Sequence, residues 1–595
     1  MVLLTSASLA VKGQGYSLYG NVLIKEKNFP VAGAHVKLID SLAAKEQIAV
    51  TDSLGNFSFS NLKKDFSYGG QVSSVGYETL TFSVLVDDRQ KFMGNLYLEP
   101  KAELLQEVII QDDAPVRQDG DTIVYNARAY KTTPDAVAED LVKKLPGVVT
   151  DENGKVTAQG KEVKRILVDG EEFFGKNVDL ALKNLPADII TNVRIFDDQS
   201  DQSKLTGFND GNIVRTINFV TSRGVQEGKF GKIEAGYGAE DRYVADASLN
   251  YFKTGQQISV LGNSNNFNRS SGQGSQSSPM GISTINNGGI NIVKNYKQFS
   301  AMGNYMFSGM QSENIMDIQR LYFLPSSEEL QYLEDNDSEN TTQNHMVMTR
   351  AEYRPNFRDA VILSPRINSN SVETDALQAI RNVSPEEVLL AETLSQRDSY
   401  NKSYSINLPL MIRKMLKKPG RSIMVDLNAG FSSGTGNQDI LFSQFTSATL
   451  QDSSGHKTNL AETYGNNFHG GVYYTMPVFK GGMGQFEYSV GYEDNESDNY
   501  TYTINGTSDT RSVDSLLTNV YQNYNIAHNA KISWQKYVKG VQFTIGSKYQ
   551  MRNLTGEQIL PTPVVVNKLY HSVLPEIMVN YHKQGQGISF QYNTD

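Results

Sequence analysis

The residue types that most often do chemistry are sparse in this chain and stand apart. The seven histidines, His35, His345, His456, His469, His528, His571 and His582, are scattered with no spacing that suggests a metal site. There is no cysteine, so disulfides, thiolate metal sites and cysteine nucleophiles are excluded. The carboxylates Asp197, Asp198, Asp201 and Asp210 cluster in sequence and raise the question of calcium. They lack the alternate-residue ligands of an EF-hand loop, so a solvated acidic surface is expected. The Ser-, Gly- and Asn-rich run at 264 to 289 does not join a strand to a helix N-terminus, as a phosphate-cradling loop must, and reads as a flexible external loop. No Gly-x-Ser-x-Gly elbow, Walker loop or paired-carboxylate cleft is evident. The expectation is a protein that is no enzyme, with no catalytic residue, cofactor site or metal ligand.

The totals narrow the class further. A chain of 595 residues exceeds one ordinary soluble domain. Its net charge of -10 and pI near 5.4 argue against a nucleic-acid binder, which needs a basic footprint. No stretch reaches the ~18 consecutive apolar residues of a membrane helix. The mean hydropathy of -0.41 decides nothing, because alternating lipid-facing and lumen-facing residues of a membrane barrel cancel. Residues 1–10 have the apolar core and small residues, Ser8 and Ala10, of the back half of a secretory signal.

Residues 15–100 alternate strand patterns with turn chemistry. Val36 and Leu38 share one face; Thr51-Asp52 leads through Gly55 into a strand burying Phe57 and Phe59; Leu80, Phe82, Val84 and Val86 alternate. Several short strands at this spacing make a small β-sandwich. His35 stands alone on a strand and reads as exposed or packed. Residues 101–115 are a linker or last strand, with a sharper alternative. Glu107, Val108, Ile109 and Ile110 suit an extended segment that adds a strand to a partner's sheet edge.

Residues 116–224 form a mixed α/β unit. Thr133-Pro134-Asp135 reads as a helix start, with Val137, Leu141 and Leu145 on one face and Pro146-Gly147 as the stop. Arg165 to Val168, Asp169-Gly170 and Glu171 to Phe174 read as a hairpin. Leu180 to Leu185 gives a short helix ended by Pro186, and Ile195-Phe196 and Ile213 to Val220 supply further strands.

From 225 to 595 the texture is alternation over roughly ten residues at a time, as in membrane barrels. Tyr243, Ala245, Ala247, Leu249 and Tyr251 oppose Asp246, Ser248 and Asn250. Phe299 to Phe307, Ile423 to Phe431 and Phe486 to Tyr492 repeat the scheme. Lys417 to Gly420 and Lys539-Gly540 read as short periplasmic turns, and 264–296, 309–344 and 370–401 as long external loops. About fourteen strands are counted, against ~22 for a closed plugged barrel, and the C-terminus lacks a terminal aromatic. An incomplete barrel is therefore expected, since an open edge in lipid leaves backbone groups unpaired.

Specific motifs carry a resemblance. Gly20-Asn21-Val22, Pro30 to Ala34, Thr51-Asp52 with Gly55-Asn56-Phe57, and Val75-Gly76-Tyr77 resemble the carboxypeptidase-regulatory-like domain, an accessory fold. Gly120 to Asn126, Leu145-Pro146-Gly147-Val148, Val168-Asp169-Gly170, Phe173-Phe174-Gly175, Leu185-Pro186-Ala187 and Asp210-Gly211-Asn212 resemble the plug of TonB-dependent receptors. The resemblance runs from about residue 15 to the end. It implies a mostly β chain: an N-terminal β-sandwich, an α/β plug and an incomplete antiparallel transmembrane β-barrel. It also implies a place in the outer membrane of a Gram-negative cell, and uptake of an unidentified substrate powered by a TonB-type periplasmic partner. Glu107 to Ile110 would then be the TonB box, and a surface lipoprotein a possible further partner. The alternative is a non-transporting barrel with an assembly, adhesion or structural role.

Overall fold

A computed structural model describes residues 16–594, apart from 26–27, 41–44, 76, 101–113, 152–153, 176, 223–227, 269–280, 324–328, 448–450, 480, 506–509, 539 and 584–585. The signal-like residues 1–10 and the segment Glu107 to Ile110 lie outside the described residues.

The N-terminal unit is the expected sandwich. Asn56–Leu62, Tyr16–Ile24 and Gln90–Leu98 form one sheet in that order; Lys45–Val50, His35–Asp40, Phe66–Ser73 and Leu80–Val86 form the other. Leu18, Val22, Val36, Leu38, Phe57, Phe59, Val72 and Val86 fill the space between them. The Thr51-Asp52 motif is a turn device. Thr51 Oγ1 donates to the Val31 carbonyl (2.6 Å) and accepts from Ala34 N (2.8 Å). Asp52 Oδ1 accepts from Leu54 N and Asn56 N at 2.9 and 2.8 Å. Gly55 is required on two grounds: its φ is +72°, and a Cβ there would stand 2.4 Å from the Val22 carbonyl oxygen.

The second unit has one sheet in the order Val148–Thr150, Val156–Ala158, Lys161–Val168, Ile213–Thr221, Ile190–Gln199, Thr122–Asn126, Val116–Asp119. Its motifs are tertiary clasps. Tyr125 Oη donates to the Pro146 carbonyl (2.7 Å). Asp169 and Gly170 turn the hairpin with φ of +53° and +86°, as a two-residue turn requires, and the Asp169 carboxylate accepts from Thr221 N and Oγ1 at 2.9 and 2.6 Å. One expectation fails here. The helix is Ala138–Val142, capped by the Asp140 carboxylate on Val137 N (3.0 Å), and does not start at Thr133. Val137 instead bridges to Pro186, and Ala187 N donates to the Ala136 carbonyl (2.9 Å), so a long-range pairing holds 136–137 extended. The helix Val178–Lys183 agrees with expectation.

The third unit is a single antiparallel sheet of seventeen strands in chain order, from Gly228–Tyr237 to Gln586–Asn593, and among the described residues these two end strands do not pair. The count corrects the expected fourteen. Asp359–Leu363 and Thr510–Val513 are too short to show alternation, and segments expected as loops are strands. Phe299–Phe323 pairs residue for residue with Glu329–Tyr353, and Arg366–Val383 with Leu389–Met415, so 309–344 and 370–401 are mostly ladder. Ile282–Asn295 likewise removes half of the loop expected at 264–296. At ~3.3 Å per residue a 25-residue strand such as Phe299–Phe323 runs about 80 Å, and only ~10 residues are needed to cross a bilayer. Polar strand residues extend the ladder beyond the membrane because the backbone bonds do not depend on side-chain polarity. The turn at Lys417 to Gly420 is tight as expected, with Gly420 at φ +69°.

A soluble sheet buries its apolar face; this one does the reverse. Ile233, Leu249, Ile290, Phe431, Phe468 and Tyr488 are exposed, while Ser248, Asn250, Ser259, Asn291 and Asn304 on the opposite face are buried. Aromatic rings adjoin along the exposed face, with Phe468 5.6 Å from Phe431 and 6.3 Å from Tyr492. An apolar outer belt with aromatic girdles is a lipid-facing surface.

Candidate functional site: the seam between plug and wall

The α/β unit sits against the inner, polar face of the wall. Phe252, Leu261 and Met306 of the wall join its core. A second small cluster packs Leu205 with Ala360, Ile362, Met424 and Tyr473. The rest of the seam is polar and specific. Arg350 grips both carboxylate oxygens of Asp201, Nη1 at 2.6 Å and Nη2 at 3.0 Å, and its Nη2 also reaches Glu352 at 3.2 Å. Glu352 in turn accepts from Arg354. Asn209 donates from its backbone N to Gln535 Oε1 (3.0 Å) and from Nδ2 to Gln542 Oε1 (3.1 Å). Asn295 Nδ2 donates to Glu171 Oε1 (2.6 Å).

Two motif glycines mark the closest approaches. A Cβ on Gly175 would lie 2.4 Å from Met348 Cε, and one on Gly211 would lie 2.4 Å from Met578 Cε. Both glycines also have positive φ, +63° and +81°. The plug backbone therefore meets the ends of wall methionines, where a Cβ would be strained by the backbone conformation and would push the methionine methyl aside.

The acidic cluster is not the solvated surface its spacing suggested. Asp197 is bridged by Lys161 (2.8 Å) and Arg215 (3.0 Å), and Asp198 by Arg165 (2.7 Å) and Lys204 (2.6 Å). Asp210 accepts from Ser200 Oγ and Ser203 Oγ, each at 2.7 Å, and so closes the loop that carries Asn209 and Gly211. Burial pushes the Asp201 carboxyl up, but the facing Arg350 guanidinium outweighs it and holds the group below the usual carboxylate range. The partners could not be read locally, since Arg350 lies 149 residues from Asp201.

Beside the seam is a cavity of about 560 Å³. Asp135, Glu139, Asp140 and Lys183 line it from the plug, and Lys232, Glu234, Asp246 and Asn263 from the wall. The lining is mostly polar and charged on both sides. Among the described residues no histidine lines it. His345, His528 and His571 each place Nδ1 within 3.0 Å of a tyrosine hydroxyl on a neighbouring strand, those of Tyr305, Tyr488 and Tyr549. Among the described residues no group of three His, Asp or Glu could hold a metal.

A model of the CarboxypepD_reg-like domain matches residues 18–110. The match takes in the sandwich and continues through Glu107 to Ile110. No curated protein matches the chain. Among solved structures, it is similar to the siderophore receptor PiuA from Acinetobacter baumannii, at 9% identity over 80% of this chain and 79% of that one, with a TM-score of 0.32. It is also similar to the open form of the ferric-catecholate import receptor Fiu from E. coli K12, at 10% identity over 79% and 84%, TM-score 0.27. The unliganded ferric citrate transporter FecA gives 9% identity over 80% and 92%, TM-score 0.21. Such values carry no argument about function. The architecture stands on its own geometry: a β-sandwich, an α/β plug, and the wall of an outer-membrane-type β-barrel around the plug's face.

Proposed function

We propose that this chain is an outer-membrane receptor of the TonB-dependent kind, which admits a substrate when its plug is displaced from the barrel wall. The observation that carries this reading is the seam. A domain seated against the inner face of the wall by small apolar contacts and a few hydrogen-bonded clasps, chief among them Asp201 with Arg350, can be released without unfolding either part.

Displacement needs work from the periplasmic side, and Glu107, Val108, Ile109 and Ile110 are the segment proposed to receive it. It precedes the first plug strand, Val116–Asp119, by only a few residues, so tension on it passes directly to the plug sheet. Strand addition by a TonB-type energy-coupling protein requires little side-chain specificity, which this short apolar run meets. Outer-membrane lipid surrounds the wall, and a surface lipoprotein capping the strand extensions is compatible with their length. The substrate is assigned only as hydrophilic, from the polar cavity. Deletion of 107–110 in the intact gene tests the reading: uptake should be lost with surface expression unchanged. Undiminished uptake by the deletion would refute the coupling.

A further inference from the structure

A second and larger cavity, of about 730 Å³, lies on the opposite face of the wall, away from the plug. Its floor is a cross-strand row that runs from Ile315 through Asp337, Leu377, Gln396 and Leu441 to His456, each directly opposite the next. The ladders carry no register shift over this stretch, so Ile315 shares the outward face of Tyr305, and Leu441 that of Phe431. Tyr404 and Tyr464, in one row, mark the outer aromatic girdle. Gln396 stands eight residues farther out than Tyr404, about 26 Å along the strand, so the groove lies in water beyond the lipid.

Four apolar side chains of the groove are open to that water: Ile315 at 66% exposure, Leu377 at 56%, and Leu394 and Leu441 at 44% each. Gathered in a concavity outside the bilayer, such side chains mark a place where another molecule sits. The side nearer the membrane is acidic. Glu313, Glu339, Asp375, Asp398 and Asp439 stand directly opposite one another in the adjoining row, and directly opposed like charges destabilise a sheet. Gln311, Gln396 and Thr458 donate hydrogen bonds to Glu339, Asp398 and Asp439, and His456 stands 3.5 Å from Asp439. Among the described residues no lysine or arginine bridges the five. On the far side lie Asp317 and Asp335, of which Asp335 is paired with Arg381.

Charge decides the occupant. The phosphorylated headgroups of an anionic glycolipid would be repelled, and a second copy docked about a two-fold axis would bring the same acidic row against itself. A cationic partner relieves the repulsion along the row, and apolar groups interspersed with its cations fill the floor. We propose that this groove binds a short cationic amphipathic peptide laid across the strands, its basic side chains on the Glu313–Asp439 row and its apolar ones on Leu377, Leu394 and Leu441. From Ile315 to His456 the row crosses about 24 Å, the length of about seven extended residues. The groove faces away from the lumen, so the proposal stands apart from the import reading.

Fluorescence anisotropy of a labelled peptide with the full chain in zwitterionic phosphatidylcholine vesicles tests this, with empty vesicles as the blank. The probe is a heptapeptide of alternating lysine and leucine. Heptapeptides of alternating lysine and serine, and of alternating glutamate and leucine, are the comparisons. The lysine–leucine peptide should bind saturably, about tenfold more tightly than either comparison, and more weakly as salt rises. Asp375→Asn with Asp398→Asn should weaken it about tenfold and flatten the salt dependence. Leu377→Ser with Leu441→Ser should weaken it about tenfold and leave the salt dependence in place. Wild-type binding no tighter than that of the lysine–serine peptide would overturn the proposal, whether or not the variants fold. Tighter binding of the glutamate–leucine peptide, the mark of an anionic partner, would overturn it too, as would unchanged binding by both double variants. No energy-coupling protein is present, so the outcome is separate from uptake.

Discussion

Arg350 of the wall holds both carboxylate oxygens of Asp201 in the plug, at 2.6 and 3.0 Å, in a fork that lysine could not reproduce. Both side chains are about three-quarters buried. Replacing Arg350 with methionine leaves an unpaired, part-buried carboxylate. Charge-assisted hydrogen bonds of this kind contribute about 1.5–3 kcal/mol, so local opening around 201–206 should become roughly ten- to hundredfold more frequent. Hydrogen exchange of the helix Asp201–Thr206 measures this, and unchanged protection would show that the clasp does not hold the plug.

The same pair sets a pH dependence. Asp201 is held below the usual carboxylate range, so the released plug takes up the proton first as pH falls. The clasp's contribution is complete above the ordinary carboxylate pKa of ~4 and is lost as pH drops through the lowered value. Protection of 201–206 should thus be flat from pH 8 to 5 and fall below pH 4 in wild type. In Arg350→Met that fall should disappear, because burial then acts on Asp201 without the guanidinium that outweighed it, and exchange measured across the range would reveal this.

Gly211 tests the fit of plug against wall. Its φ of +81° disfavours any Cβ by about 1–2 kcal/mol, and the added atom would press on Met578. Gly211→Ala should therefore weaken plug seating by about that amount. Combining it with Met578→Ala should relieve only the steric part. Limited proteolysis of the 209–212 loop follows both, and a fully restored double variant would show that backbone strain contributes nothing.

Leu249 tests the orientation of the wall. It points outward at 61% exposure in the middle of its strand, while its neighbour Ser248 is buried on the inner face. An arginine near the bilayer midplane costs about 2–4 kcal/mol in such barrels. Leu249→Arg should lower folding stability in vesicles by that order and have little effect in a water-soluble polymer. Equal effects in both would mean that this face does not meet lipid.

Much of the architecture is legible in the residues because it rests on local rules. Alternation at Tyr243 to Tyr251 identifies the outer face, and Asp169-Gly170 identifies a turn whose φ values few other pairs tolerate. What escapes is set by distant partners. The stretch after Thr133 looks like a helix start until Pro186 pairs with Val137. The polar stretches at 309–344 and 370–401 look like loops because nothing in their composition reveals that each finds a partner strand. Asp201 looks solvated because Arg350 is far away in sequence.

The central claim is that the plug must leave the wall for substrate to pass. The chain has no cysteine, so a pair can be introduced without background. Asn209→Cys with Gln535→Cys, and Asp201→Cys with Arg350→Cys, place thiols on both sides of the two main clasps. Joining them with a short bis-maleimide in whole cells should abolish uptake, while the same variants without cross-linker keep it. Uptake at the unlinked rate in fully cross-linked protein would contradict the account.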